Sequence, residues 1–171
     1  MLAIGSARHE FEPPSTWRAT IKQAMTGTGH GVYVVLLDFG REDRIEMVKE
    51  GLPARLLSVY AEDMKVPRET LYSWLGIPRA TANRKVRADD LLSQDESERV
   101  LGFGRLVGQV EKMVRESGYP EGFDAAKWTA DWLSEPNAAL GGKAPGDYMD
   151  TSDGRALVSG LLAQMQSGAY A

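Results

Sequence analysis

Within PRATANRKVR, residues 78–87, Arg79, Arg84, Lys85 and Arg87 supply four positive charges and there is no acid. Asp89, Asp90, Asp95, Glu96 and Glu98 follow at once, with no base among them. The formal net charge of the 171-residue chain is -4, so positive charge is concentrated in one short element of an acidic protein. Such confinement suits a helix that enters a nucleic-acid groove, because phosphates are then attracted only where the helix is to lie. Thr81 and Asn83 stand near the N-terminal end of that helix, where side chains reach base edges. Asparagine can pair with adenine, and arginine can grip guanine or phosphate. A solvated basic surface helix is the plainer reading of the same residues.

The remaining reactive residue types offer little. The chain has no cysteine, which removes disulfides, a thiol nucleophile and thiolate metal sites, and fits a reducing cytoplasm. His9 and His30 are the only histidines, and both fall in a loosely patterned N-terminal stretch that would not hold an imidazole for catalysis or a metal. Glu62-Asp63 and Asp89-Asp90 are adjacent pairs, and neighbours on a helix point about 100° apart, so neither is an acid/base dyad. Gly141-Gly142-Lys143 suggests a phosphate cradle, but it follows a helical segment rather than a strand and lacks the G-x-x-x-x-G-K-[ST] spacing. TGTGHG, residues 26–31, fails the same test and reads as a linker. No enzyme, metal or cofactor is expected.

These residues have to be positioned by helices. Hydrophobic content of 43% and charged content of 26% are ordinary for a globular chain able to bury a core. The longest apolar run, VYVVLL at 32–37, is six residues against the roughly 20 that span a membrane, and the N-terminus lacks a signal-peptide pattern. A soluble cytoplasmic protein is expected. Residues 1–31 read as a mobile arm with a short helix around 15–25. GVYVVLLDFG is rich in β-branched residues and bounded by glycines, so a short strand needing a partner and a buried helix are both open. From residue 42 the pattern is helical. EDRIEMVKEG carries Ile45 and Val48 three apart, and Leu56, Leu57, Tyr60 and Met64 share a face. Pro53, Pro67 and Pro78 each announce a helix. Helices over 67–75 and 78–87, joined by Gly76-Ile77, outline a helix-turn-helix, although Tyr72 occupies a first-helix position where such units usually carry a small residue.

Ser93 and Glu96 have capping-box spacing before a long helix in which Val100, Phe103, Val107, Val110 and Val114 recur at steps of three and four. Gly102, Gly104 and Gly108 in that helix predict close approach of a neighbour, since each costs about 1 kcal/mol of helix propensity. Asp124 and Thr151 cap two further helices, and Trp128 and Trp132 share a face as core or interface residues. The expected fold is mainly α: an N-terminal arm over 1–41, suited to dimerisation, a helix-turn-helix domain over 42–117, and a small helical domain over 118–171.

The segment from Trp132 to Gly168 resembles the C-terminal toxin-binding domain of the Xre/MbcA/ParS antitoxins. Trp132, Leu133, Pro136, Asn137, Leu140, Gly141, Gly142, Pro145, Thr151 and Gly154 follow that family's pattern in order. Upstream, Gly51-Leu52-Pro53 and the helix-turn-helix fit its central domain, so the resemblance covers roughly residues 43–168. It implies a cognate RES-type toxin that consumes NAD and is blocked by this chain, together with repression of its own operon by a homodimer on operator DNA. It makes Lys143, Tyr148 and Arg155 candidate toxin contacts. The tail Gly168, Ala169, Tyr170 and Ala171, an aromatic ring before a free carboxylate, is a candidate plug for a nucleotide pocket; a frayed terminus is the ordinary alternative. A stand-alone regulator with a ligand-sensing or assembly domain is the other function class these residues fit, and a localisation adaptor is a third.

Overall fold

The computed structural model describes residues 17–27, 30–118 and 121–168. Among them run nine α-helices: α1 Trp17–Thr26, α2 His30–Asp38, α3 Arg41–Glu50, α4 Arg55–Met64, α5 Arg68–Leu75, α6 Arg79–Arg87, α7 Gln94–Glu116, α8 Ala125–Ser134 and α9 Ser152–Ser167. Two 3-10 turns, Ala138–Leu140 and Pro145–Tyr148, link α8 to α9. No described helix is long and apolar enough to cross a membrane.

The organising element is α7, against which α2, α3, α4, α5, α8 and α9 all pack. Its start is the capping box expected from Ser93 and Glu96: the Glu96 amide donates to Ser93 Oγ at 3.2 Å, and the Ser93 amide donates to Glu96 Oε2 at 2.7 Å. Its inward face, Val100, Phe103, Val107 and Val110, is buried. The glycines act as anticipated. A β-carbon on Gly108 would overlap the Tyr33 carbonyl, and one on Gly104 would overlap the Tyr60 hydroxyl and Leu36. Both neighbours approach closer to the α7 backbone than any side chain would allow.

That approach decides the fate of VYVVLL. The segment is the helix α2, not a strand, with Val32, Tyr33 and Leu36 fully buried on one helical face. No strand is present among the described residues to pair with it, whereas α7 offers a groove of missing β-carbons. Tertiary packing therefore overrides the β-branched preference, which is worth only a few tenths of a kcal/mol per residue. The mobile-arm expectation likewise fails over the described part of that stretch: Trp17 and Ile21 of α1 are buried in the same continuous core. His9 lies outside the described residues, and His30 begins α2.

Tyr33, Tyr60, Phe103 and Trp74 form an aromatic column from α2 to α5, with successive ring centroids 5.2, 6.0 and 6.1 Å apart. The phenols are partnered: Tyr33 donates to Asp63 Oδ2 at 3.0 Å and Tyr60 donates to the Val100 carbonyl at 3.2 Å. Burial first, and the Asp63 carboxylate second, push both phenol pKa values far above the ordinary one. The helical face proposed for α4 is correct in all four residues. In α3 the inward residue is Met47, while Ile45 is about half-exposed at 47%. The connection into α4 is tied to the segment after α6: the Leu92 amide donates to the Leu52 carbonyl at 2.8 Å, and the Ala54 amide to Asp90 at 3.0 Å.

Candidate functional site

The α5–turn–α6 unit forms as the prolines and glycine require. Pro67 and Pro78 occupy the N-cap positions, and Gly76 closes α5 at φ 62°, a left-handed conformation that favours glycine. Ile77 and Ala82 anchor the unit in the core. Tyr72 is not a misfit: it is 2% exposed, and its hydroxyl donates to Asn83 Oδ1 at 3.1 Å, filling the interval between the two helices. Arg99, which the sequence reading did not single out, fixes the turn from behind. Its Nη1 donates to the Gly76 carbonyl at 2.8 Å and to Leu75 at 3.3 Å, while Nη2 pairs with Asp95.

The six basic and polar residues proposed for the DNA face are not equivalent. Arg79, Arg84 and Arg87 project from the exposed side of α6. Arg79 pairs with Glu69 at 3.1 Å across an exposed contact, which contributes little and opens readily. The Arg84 side chain has no ion-pair partner among the described residues. Arg87 Nε donates to the Asn83 carbonyl at 3.4 Å. Thr81 is half-buried. Asn83 has its amide oxygen engaged by Tyr72, which leaves its nitrogen as a donor and obstructs a two-bond pairing with adenine. Lys85 turns inward: its amine meets Glu96 Oε2 at 2.6 Å with both side chains only 13% exposed. The same carboxylate closes the α7 capping box, so Lys85 ties α6 to α7. Spacing alone could not separate Lys85 from Arg84; Glu96, a capping residue with one oxygen shared, was the available signal.

In the linking loop, the backbone N–H groups that a phosphate would need are already engaged. The amides of Leu140 and Gly142 donate to the Asn137 carbonyl at 3.0 and 2.9 Å, Gly141 to Ala138 at 3.1 Å, and Lys143 to Leu140 at 3.3 Å. Asn137 Oδ1 accepts from Ala139 at 2.9 Å. Gly141 and Gly142 take φ of 64° and 85°, and Pro145 is buried. The loop is a self-satisfied connector.

Of the candidate toxin contacts, Lys143 is exposed and Tyr148 is half-buried against the core. Arg155 is half-buried. It lies across α7 at Gly102, and its Nη1 donates to the Met149 carbonyl at 3.2 Å. Gly168 terminates α9 at φ 70° and is exposed. Ala169, Tyr170 and Ala171 lie outside the described residues. Just before them, Met165, 40% exposed, borders an apolar groove of about 350 Å³ with Val110, Met113, Val114, Phe123 and Trp128. Trp128 and Trp132 stack with centroids 5.9 Å apart, 9° from parallel, and rest on the core.

The fold thus joins a helix-turn-helix to a C-terminal group of helices that borders an open apolar groove. Residues 43–105 match the family model for the "Antitoxin Xre-like helix-turn-helix domain", and residues 121–168 match the "Antitoxin Xre/MbcA/ParS C-terminal toxin-binding domain". The chain is 43% identical over 145 residues to the "Prs ADP-ribosylating antitoxin" of Sphingobium sp. (strain YBL2), covering 85% of this chain and 91% of that protein. It is 22% identical over 126 residues to "Antitoxin Xre" of Yersinia enterocolitica serotype O:8 / biotype 1B (strain NCTC 13174 / 8081), covering 74% and 80%. The chain belongs to the Xre/MbcA/ParS antitoxin family. It is an antitoxin and not an enzyme.

Proposed function

We propose that this antitoxin occludes the active site of a NAD-consuming RES-type toxin and represses its own operon as a homodimer through α5 and α6. The observation that carries the reading is one chain holding both matched modules, the second ending at the Met165 groove. The Sphingobium relative's name couples it to ADP-ribosylation of Prs. Transfer of ADP-ribose draws on NAD, which agrees with a NAD-consuming partner for this chain too.

In this reading Met165, Trp128 and Phe123 form the apolar anchor, and Lys143 and Tyr148 form the border of the contact. Residues 169–171 supply the segment that plugs the toxin pocket. Arg79, Arg84 and Arg87 meet operator phosphates and bases, and two copies read two half-sites.

The test is cellular NAD and growth on induction of the cognate toxin, with and without the full-length chain. NAD should collapse with toxin alone and hold on co-expression, and Met165→Asp should abolish that protection while leaving operator binding intact. Unchanged NAD in every arm would overturn the toxin assignment. Full protection by Met165→Asp would move the contact off the groove.

A further inference from the structure

A second cleft lies along the N-terminal half of α7, between the end of α2, the start of α3 and the N-terminal half of α9. It encloses about 330 Å³ and carries Arg44, Arg105 and Arg155 against a single carboxylate, Glu98. In a chain of net charge -4, three guanidinium groups gathered from three helices give the residues that line the cleft an excess of two positive charges over their one acid.

The guanidinium groups are held in place but not neutralised. Arg44 Nη1 donates to the Phe39 carbonyl at 2.7 Å and Arg155 Nη1 to Met149 at 3.2 Å, one bond each from groups with five donors. Arg105 Nε is buried with no hydrogen-bond partner. None of the three forms an ion pair among the described residues. Gly102 permits the arrangement, since a β-carbon there would approach Arg155 Nε to 2.8 Å. Burial lowers the pKa of the Arg105 guanidinium, and the charge of Arg44 beside it lowers it further. Burial lowers that of Arg155 too; Glu98, Asp150 and Asp95 oppose the shift and Arg99 adds to it. Unpaired, partly desolvated cations aimed into one space are stabilised by an anion placed among them.

We infer that this cleft binds the phosphate group of a small phosphorylated metabolite, with Arg44, Arg105 and Arg155 as its ligands. A phosphate monoester carries about -1.5 to -2 charges at neutral pH, which matches the excess, whereas one carboxylate leaves a cation unpaired. Arginine's fork grips phosphate through two parallel bonds. The space is at the small end of ligand pockets, which fits a sugar phosphate or mononucleotide rather than a larger cofactor. Glu98 then accepts from a hydroxyl of the same ligand. This inference is independent of which toxin the chain neutralises.

The experiment is calorimetric titration of the full-length protein with inorganic pyrophosphate and with AMP, against sodium chloride of equal ionic strength and against adenosine. Both phosphates should bind saturably with a submillimolar Kd and raise Tm, and adenosine should not bind. Arg105→Gln should weaken binding at least tenfold, and Arg84→Gln on α6 should leave it unchanged. Where Arg105→Gln lowers folded yield, Arg155→Gln gives the same reading from the opposite wall. Binding that equals the chloride control, or survives in both cleft variants, overturns the inference. Loss in Arg84→Gln alone also overturns it, by placing the anion on α6.

Discussion

Replacing Lys85 with methionine separates a residue that holds the helix-turn-helix from the residues proposed to meet DNA. The amine lies 2.6 Å from Glu96 Oε2, and each side chain is 13% exposed. Breaking a fully buried pair by removing one partner costs about 3–5 kcal/mol. Here water reaches the pair's edge and Glu96 keeps its bond from the Ser93 amide, so the expected loss is about 2 kcal/mol. In a chain of this size that corresponds to a fall in Tm of roughly 4–8 °C. Arg84→Ala, on the exposed side of the same helix, should stay within about 0.5 kcal/mol of wild type.

The pH dependence gives an independent check. Burial raises the Glu96 carboxyl, but the Lys85 bond and the Ser93 bonds outweigh it and hold the group below its ordinary value. A carboxylate depressed in the folded state contributes stability above its unfolded pKa, about 4.3, and that contribution is lost as pH falls through the folded value. Urea melts of wild type and Lys85→Met should therefore differ fully at pH 7 and converge in acid, below pH 4.3. Equal stability at pH 7, or a difference that persists undiminished in acid, would refute the assignment of Lys85 to the α6–α7 tie.

Four further outcomes follow from the packing of the helices. Arg84→Ala and Arg87→Ala should each weaken operator binding at every sequence and reduce the slope of log affinity against log salt by about 0.9 per phosphate contact, measured by fluorescence anisotropy. Gly108→Ala should lower Tm: the new methyl meets the Tyr33 carbonyl, and overpacking of about 1–3 kcal/mol outweighs a propensity gain of about 1 kcal/mol. Gly160→Ala, in α9 with nothing within 4 Å of the added carbon, should raise Tm instead. Tyr72→Phe should cost about 1 kcal/mol in chemical denaturation and release Asn83 Oδ1, so the melt shifts while the exposed arginines still bind DNA.

Much of this architecture was legible because its signals are local. Prolines before α5 and α6, Gly76 after α5, and the caps at Ser93, Asp124 and Thr151 each act within a few residues. Signals that depend on a distant partner were not legible. VYVVLL is ambiguous until the missing β-carbons of Gly104 and Gly108 are known to face it. Lys85 looks like Arg84 until Glu96 is placed 11 residues on and across a turn. Arg44, Arg105 and Arg155 are far apart in sequence, and only the packing of α3, α7 and α9 brings them to one cleft.

The dependence of α2 on α7 also has a consequence in time. A ribosome delivers Val32, Tyr33 and Leu36 before the helix that buries them. At about 5–20 residues per second, the roughly 80 residues from α2 to the last turns of α7 take about 4–16 s to follow. Through that interval the side of α2 that packs on α7 has no cover, and local helix alone does not persist at nine residues. The emerging chain is thus most open to chaperones and proteases at α2. That exposure closes only when Gly104 and Gly108 arrive to receive Leu36 and the Tyr33 backbone.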